Sequence, residues 1–230
     1  MLKQTMLRLD ERRDEINDTA SRNLQRWSAN ADRIRTNSAI VHVLPGDWGD
    51  VTRKLTQTYG RLFASLNMAN AYGPGGGYVE GCAAQEENMF RRTDCHYSLE
   101  LDQMDDDRQL YAPGLTSLLN AEGGRVYLDM ECPRVCIRGP EDFDREDLGY
   151  EWLAVDQIFP FYELRSAAVD LRGGRAFDEE EMTRRVRAQF DTLVDAGVRH
   201  VVLSAFGCGA FQNPAHRVAA IYREAVEARA

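Results

Sequence analysis

"NAYGPGGGYVEGCAAQEEN" (residues 70–88) sets a proline and three consecutive glycines seven residues ahead of Gln85, Glu86 and Glu87. Adjacent glycines cost folding entropy, and a packed core gains nothing from residues without side chains. The run therefore reads as a place where bare backbone must lie close to a pair of carboxylates. Upstream, "LFASLNMANA" (62–71) has the composition of a buried strand; downstream, "AAQEENMFRRT" (83–93) is helical in composition. A strand, a glycine turn and a helix aim backbone N–H groups and a helix N-terminus at one spot, which suits a phosphate.

The same grammar recurs near the C-terminus. "HVVLSAF" (200–206) reads as a buried strand and "GCGAF" (207–211) as a second glycine loop, with Asn213 as N-cap and Pro214 in the first turn of a final helix. Familiar nucleotide motifs fail. No Gly-Lys-Ser/Thr is present, and a G-x-G-x-x-G pattern from Gly75 breaks at Glu80 and one from Gly76 at Tyr78. Two separate anion loops after neighbouring strands suit a diphosphate held from both sides.

The remaining chain supplies the elements of an α/β sheet with helices on both faces. Residues 1–35 read as helix, with Leu2, Met6 and Leu9 and then Ile16, Ala20, Leu24 and Trp27 on common faces. "AIVHVL" (39–44) is β-rich, and a helix follows from about Asp50 to Tyr59, ended by Gly60. Two short strands are expected in 124–139, broken at Pro133, and another in 164–172; 98–123 and 140–160 read as loops with short helices. Asp178 and Glu181 form a capping box ahead of the apolar face Met182, Val186, Phe190 and Leu193, and Gly197 stops that helix.

Composition bounds the function. At 230 residues and 43% hydrophobic content the chain suits one large globular domain, and no apolar run approaches a membrane span. The charged first fifteen residues do not fit a secretory signal, which points to the cytoplasm. A net charge of −9 gives no attraction to nucleic acid. Five cysteines in a chain of this length read as reduced thiols: Cys132 and Cys136 as core residues, Cys95 as no partner for the adjacent His96, and Cys208 as lining a pocket. Asp102, Asp105, Asp106 and Asp107 read as a solvated face, and Arg91 and Arg92 as charges suited to a helix C-terminus. No metal site and no organic cofactor are expected.

"NMANAYGPGGGYVEGCAAQEENMFRRT" together with "LSAFGCGAFQNP" resembles the microbial branch of the poly(ADP-ribose) glycohydrolase family, built on the macrodomain fold. That branch is marked by GGG, six to eight residues, then QEE. The resemblance implies a three-layer α/β/α macrodomain over residues 39–230 with a mixed sheet, preceded by a helical extension over 1–38. It implies that Gly75, Gly76 and Gly77 wrap the diphosphate and distal ribose of ADP-ribose, with Gln85 also at the substrate. Asn70 would bond the distal ribose hydroxyls. Gly207, Cys208, Gly209 and Ala210 would form the second diphosphate loop, with Phe211 against the ribose. Glu87 would be the catalytic acid, Glu86 would orient the ribose, and Asp47 of "LPGDWGD" would hold adenine.

The chemistry agrees with two carboxylates. Glycosidic cleavage passes through an oxocarbenium-like state that needs a proton for the leaving group and a carboxylate to activate water. The expected partners are the ADP-ribose moiety and an ADP-ribosylated protein. A non-catalytic reader of ADP-ribose needs the glycine loops but not the QEE pair. An enzyme acting on a free ADP-ribose derivative needs no macromolecular docking face.

Overall fold

The computed structural model describes residues 1–31, 40–107 and 109–229. Its centre is β1 (Ala64–Met68), flanked by β4 (Phe159–Ser166) and β5 (Val201–Val202), both parallel to it. Two short strands run antiparallel to β4: β2 (Tyr127–Leu128) pairs with its C-terminal end and β3 (Arg134–Cys136) with its N-terminal end.

Strand alternation sends two sets of side chains to two faces. Ala64 and Leu66 of β1 and Leu164 of β4 pack with Met182, Val186 and Leu193 of α5 (Glu179–Asp195) and Val218 and Ile221 of α6 (Ala215–Glu227). On the opposite face Phe159 and Phe161 of β4 meet Trp48 of α2 (Trp48–Tyr59) and Met89 and Phe90 of α3 (Gln85–Arg92). The long helix α1 (Leu2–Asn30), kinked at Arg12, completes that layer by setting Leu9, Ile16 and Ala20 on Val135, Ile137 and Ile158. The result is three-layer α/β/α with a mixed sheet, the macrodomain-like arrangement. A short α4 (Pro113–Leu119) closes one side against β2 and β4.

The face toward α3 is partly polar. Ser65, Asn67, Glu163 and Arg165 lie fully buried there: Glu163 accepts from both Asn67 and Arg165, and Ser65 bonds Thr52 of α2. The parallel neighbours β1 and β5 end on the same side of the sheet, and the two glycine loops begin there. In open α/β sheets the carboxyl ends of the strands are where ligands bind.

Several expectations need correction. Residues 40–44 form no strand; Val43 is 95% exposed, and β propensity without a sheet edge or burial does not make one. The remaining residue of that stretch, 39, lies outside the described residues, as do the last turns expected for the first helix beyond 31. β4 begins at Phe159, five residues before its expected start, and β5 keeps only two residues of the expected seven. The final helix starts one residue later than expected, with Pro214 in the N-cap position. Asn213 instead bridges two loops, its Nδ2 donating to the Val169 and Gly207 carbonyls at 2.8 and 2.9 Å. The capping box on α5 is half formed: Asp178 accepts from the Glu181 N–H, but the Glu181 carboxylate pairs with Arg184 and Arg185. Cys136 is buried as expected, whereas Cys132 is exposed.

Candidate active site

Helix α3 is the frame of the site, and its first three side chains each grip different backbone. Gln85 lies against β1. Its Oε1 accepts from the Met68 N–H at 2.9 Å and its Nε2 donates to the Leu66 carbonyl at 2.8 Å. The Ala64 N–H bonds His200 on the β5 side, so Leu66 and Met68 present their backbone to that same edge. The Gln85 amide thus continues the ladder where β5 stops at Val202.

Glu86 turns inward. It is 3% exposed and accepts the Asn70 N–H at 2.6 Å and the Gly75 N–H at 3.1 Å, one on each carboxylate oxygen. Burial pushes its carboxyl up to about 8, against the opposing pull of the Asn70 N–H and of Arg165. Glu87, about 100° further round the helix, faces the more open side and accepts the Gly77 N–H at 3.1 Å. Adjacent carboxylates therefore have unequal surroundings: one buried and fixed at two points, the other half-buried and fixed at one.

This geometry accounts for the triple glycine. A Cβ on Gly75 would fall 2.7 Å from Phe90 and 2.6 Å from Tyr78; one on Gly76 would fall 2.5 Å from the Glu87 carboxylate; one on Gly77 would strike Cys82 Sγ at 2.5 Å. Gly75 and Gly76 also take positive φ, 73° and 55°. The loop lies flat on α3 because it carries no side chains. Asn70 sets its entry, its Oδ1 accepting from the Tyr72 and Gly73 N–H groups at 2.8 and 3.0 Å as an Asx turn.

At the second loop Gly207 is buried, with no room for a Cβ between Ala168 and Asn213. Gly209 and Ala210 are exposed. Phe211 is half-buried, packs against the α5–α6 core and carries the Arg172 guanidinium over its ring at 5.2 Å. Cys208 is turned into that same core, and burial raises its thiol. The structure thus gives Cys208 a packing role, and gives Gln85 one that engages both of its polar atoms within the chain.

Asp47 caps α2, its Oδ1 accepting from the Gly49 and Asp50 N–H groups, and pairs with the buried Arg92 of α3. Arg92 also donates to Asn88 Oδ1 at 3.0 Å, as does Trp48 Nε1 at 2.9 Å. This arginine, which the sequence places at a helix end for its dipole, locks α3 to α2. Asp47 still borders a cavity of about 300 Å³, shared with Gln85, Asn88, Glu141, Phe143 and Ser204, between the N-termini of α2 and α3. That volume is at the lower end for small-molecule sites. Glu141 and Phe143 come from the stretch read as loop, and no spacing in the sequence ties them to this pocket. A larger cavity of about 680 Å³ runs along α5 beside Glu179 and Arg184, and none of its lining residues belongs to the glycine loops. Among the described residues no three His, Cys, Asp or Glu side chains gather as metal ligands.

Residues 4–113 match the family described as microbial-type PARG, catalytic domain. The matched stretch carries α1, α2, β1, the triple glycine and the QEE helix. Solved structures extend the likeness to the fold of nearly the whole chain. Poly(ADP-ribose) glycohydrolase from Thermomonospora curvata is 20% identical, covers 91% of this chain and 75% of its own, and has a TM-score of 0.58. The same enzyme bound to the inhibitor ADP-HPD gives 20% identity, 91% and 74% coverage and a TM-score of 0.54. Poly(ADP-ribose) glycohydrolase from Deinococcus radiodurans in complex with ADP-ribose is 22% identical, covers 93% and 79%, and has a TM-score of 0.55. No curated protein matches the sequence. The PARG-like stretch supplies both carboxylates; the second glycine loop lies beyond it.

Proposed function

We propose that this chain is a glycohydrolase that cleaves the bond between the anomeric carbon of ADP-ribose and the group it is attached to. One observation carries the reading: a carboxylate pair of unequal burial is closed onto a glycine loop at the carboxyl ends of the parallel strands of a mixed sheet. The loops hold the diphosphate, and Glu87, the more accessible carboxylate, protonates the leaving group and then activates water at the anomeric carbon. Glu86 fixes the loop and through it the distal ribose. The family match over residues 4–113 and the fold shared with two bacterial poly(ADP-ribose) glycohydrolases support the same assignment.

The substrate is an ADP-ribosylated protein in the cytoplasm, bearing single units in preference to long polymer. Two acidic stretches of the sequence each reach the surroundings of the site at one residue. The Tyr111 N–H bonds the Tyr72 carbonyl and so ties the end of the 102–110 segment to the glycine loop, while Glu141 borders the cavity beside α2. Such surroundings repel a polyanion and receive a basic protein.

Release of ADP-ribose from a panel of defined linkages (arginine, acidic residue, serine and ribose–ribose) tests the proposal. Turnover on at least one linkage is expected. Binding of ADP-ribose without turnover on any of them would make the chain a reader.

A further inference from the structure

The cavity between the N-termini of α2 and α3 is lined by a polar side chain whose bonding is half complete. Asn88 is 7% exposed, and its Oδ1 accepts from Trp48 Nε1 at 2.9 Å and from Arg92 Nη1 at 3.0 Å. Two donors on that atom identify it as the oxygen, since an amide NH2 accepts nothing. The Nδ2 group is therefore fixed in direction. It has no partner among the described residues, and it is not sealed from solvent. An aspartate would take the same two bonds, and the one from Arg92 more strongly. What the amide adds is a donor presented to the cavity.

The rest of the cavity says which acceptor suits that donor. Two carboxylates, Asp47 and Glu141, stand on its border and disfavour a phosphate. Trp48, Met68 and Phe143 supply apolar surface, and Phe143, 74% exposed, offers a ring for stacking. A flat ligand with an acceptor beside a donor meets all of these demands. Adenine has such an edge, with ring nitrogen N1 accepting and the exocyclic N6 amine donating. Gln85 lines the same cavity and adjoins Glu86, so the ribose and diphosphate of the nucleotide run from here toward the glycine loops. A base entering from that side turns the edge farthest from its ribose, N1 and N6, to the buried wall.

We propose that Asn88 is a specificity-determining residue: its Nδ2 donates to N1 of the adenine base, while the exocyclic amine donates to the carboxylates on the cavity's border. The proposal rests on the glycohydrolase reading for the nucleotide and adds how its base is chosen. A carboxylate alone would read the amine and leave the ring nitrogen unread; Asn88 supplies the second contact. Hypoxanthine and guanine invert both groups, with N1 a donor and O6 an acceptor. Each would set donor against donor and oxygen against carboxylate.

Calorimetry with ADP-ribose and its hypoxanthine analogue, which share the diphosphate and both riboses, tests this. Wild type should bind ADP-ribose more tightly by about tenfold or more. Asn88→Asp keeps the oxygen that serves Trp48 and Arg92 and replaces the donor by an acceptor, so it should narrow that preference. Any general loss from the added charge or from loosening of α3 falls on both ligands alike, and the ratio isolates the base. An unchanged or widened ratio overturns the proposal. If Asn88→Asp does not fold, wild type decides with the 1-deaza analogue of ADP-ribose, in which a C–H replaces N1. A loss of about tenfold is expected there, and equal affinity overturns the proposal. Failure of the wild type to bind ADP-ribose at all would remove the glycohydrolase reading and this proposal together, whereas equal binding of the analogues removes the proposal alone.

Discussion

At the scale of single residues, glycine and glutamate are explained by each other. Gly76 has no Cβ because the Glu87 carboxylate occupies that space. Gly76→Val should therefore displace Glu87 as well as block a phosphate, abolishing ADP-ribose binding by calorimetry; undiminished binding would show that the loop does not meet the diphosphate. Glu86 makes a separate prediction. Its folded carboxyl titrates near 8, whereas the unfolded one titrates near 4.5. Between those values the folded state keeps a proton that the unfolded state has lost, so this residue's contribution to stability falls as pH rises through the window. Asp94, raised to about 6, adds a slope of the same sign below that pH. Urea midpoints compared at pH 6.5 and 8 should fall in wild type and change less in Glu86→Gln. Equal slopes would mean that Glu86 is not titrating there.

At the scale of elements, α3 is a short helix held by what it clamps. Eight residues are too few to be stable alone, and Ala84 gives it no side-chain cap. Gln85 on β1, Glu86 and Glu87 on the loop, and Arg92 on α2 supply the missing stability. Gln85→Ala removes two of these bonds and leaves the Met68 N–H without its acceptor, a loss of about 1–3 kcal/mol. Hydrogen exchange at Met68 should speed up in that variant while β4 amides keep their protection; unchanged exchange would remove Gln85 from the ladder. Much of this element was legible in the sequence, because glycines and acidic residues at a fixed spacing carry local meaning. The partners of Gln85 and Arg92 were not, since backbone 17 to 19 residues away and an aspartate 45 residues away leave no periodic trace. The same limit explains the lost strand at 40–44 and the shortened β5. Apolar composition marks a strand only when an edge is there to receive it, and along β1 beyond Val202 that edge is taken by a side chain.

At the scale of the whole molecule, charge decides between substrates. The net charge is −9, and the Tyr111 end of one acidic segment is bonded to Tyr72 of the glycine loop. Screening at about 0.15 M salt leaves only charges within about 8 Å effective, so the bordering acids outweigh the distant ones. Release should be faster from mono-ADP-ribosylated, arginine-rich protein than from long polymer, and the gap should narrow as salt rises. Faster cleavage of polymer at low salt would mean a locally basic groove. The central claim concerns Glu87, and the measurement that tests it most directly is the rate of ADP-ribose release by wild type and Glu87→Gln on the best linkage, alongside their affinities for ADP-ribose. The account predicts turnover lowered by about 10²-fold or more with affinity within a few-fold. Equal rates in the two proteins would contradict it.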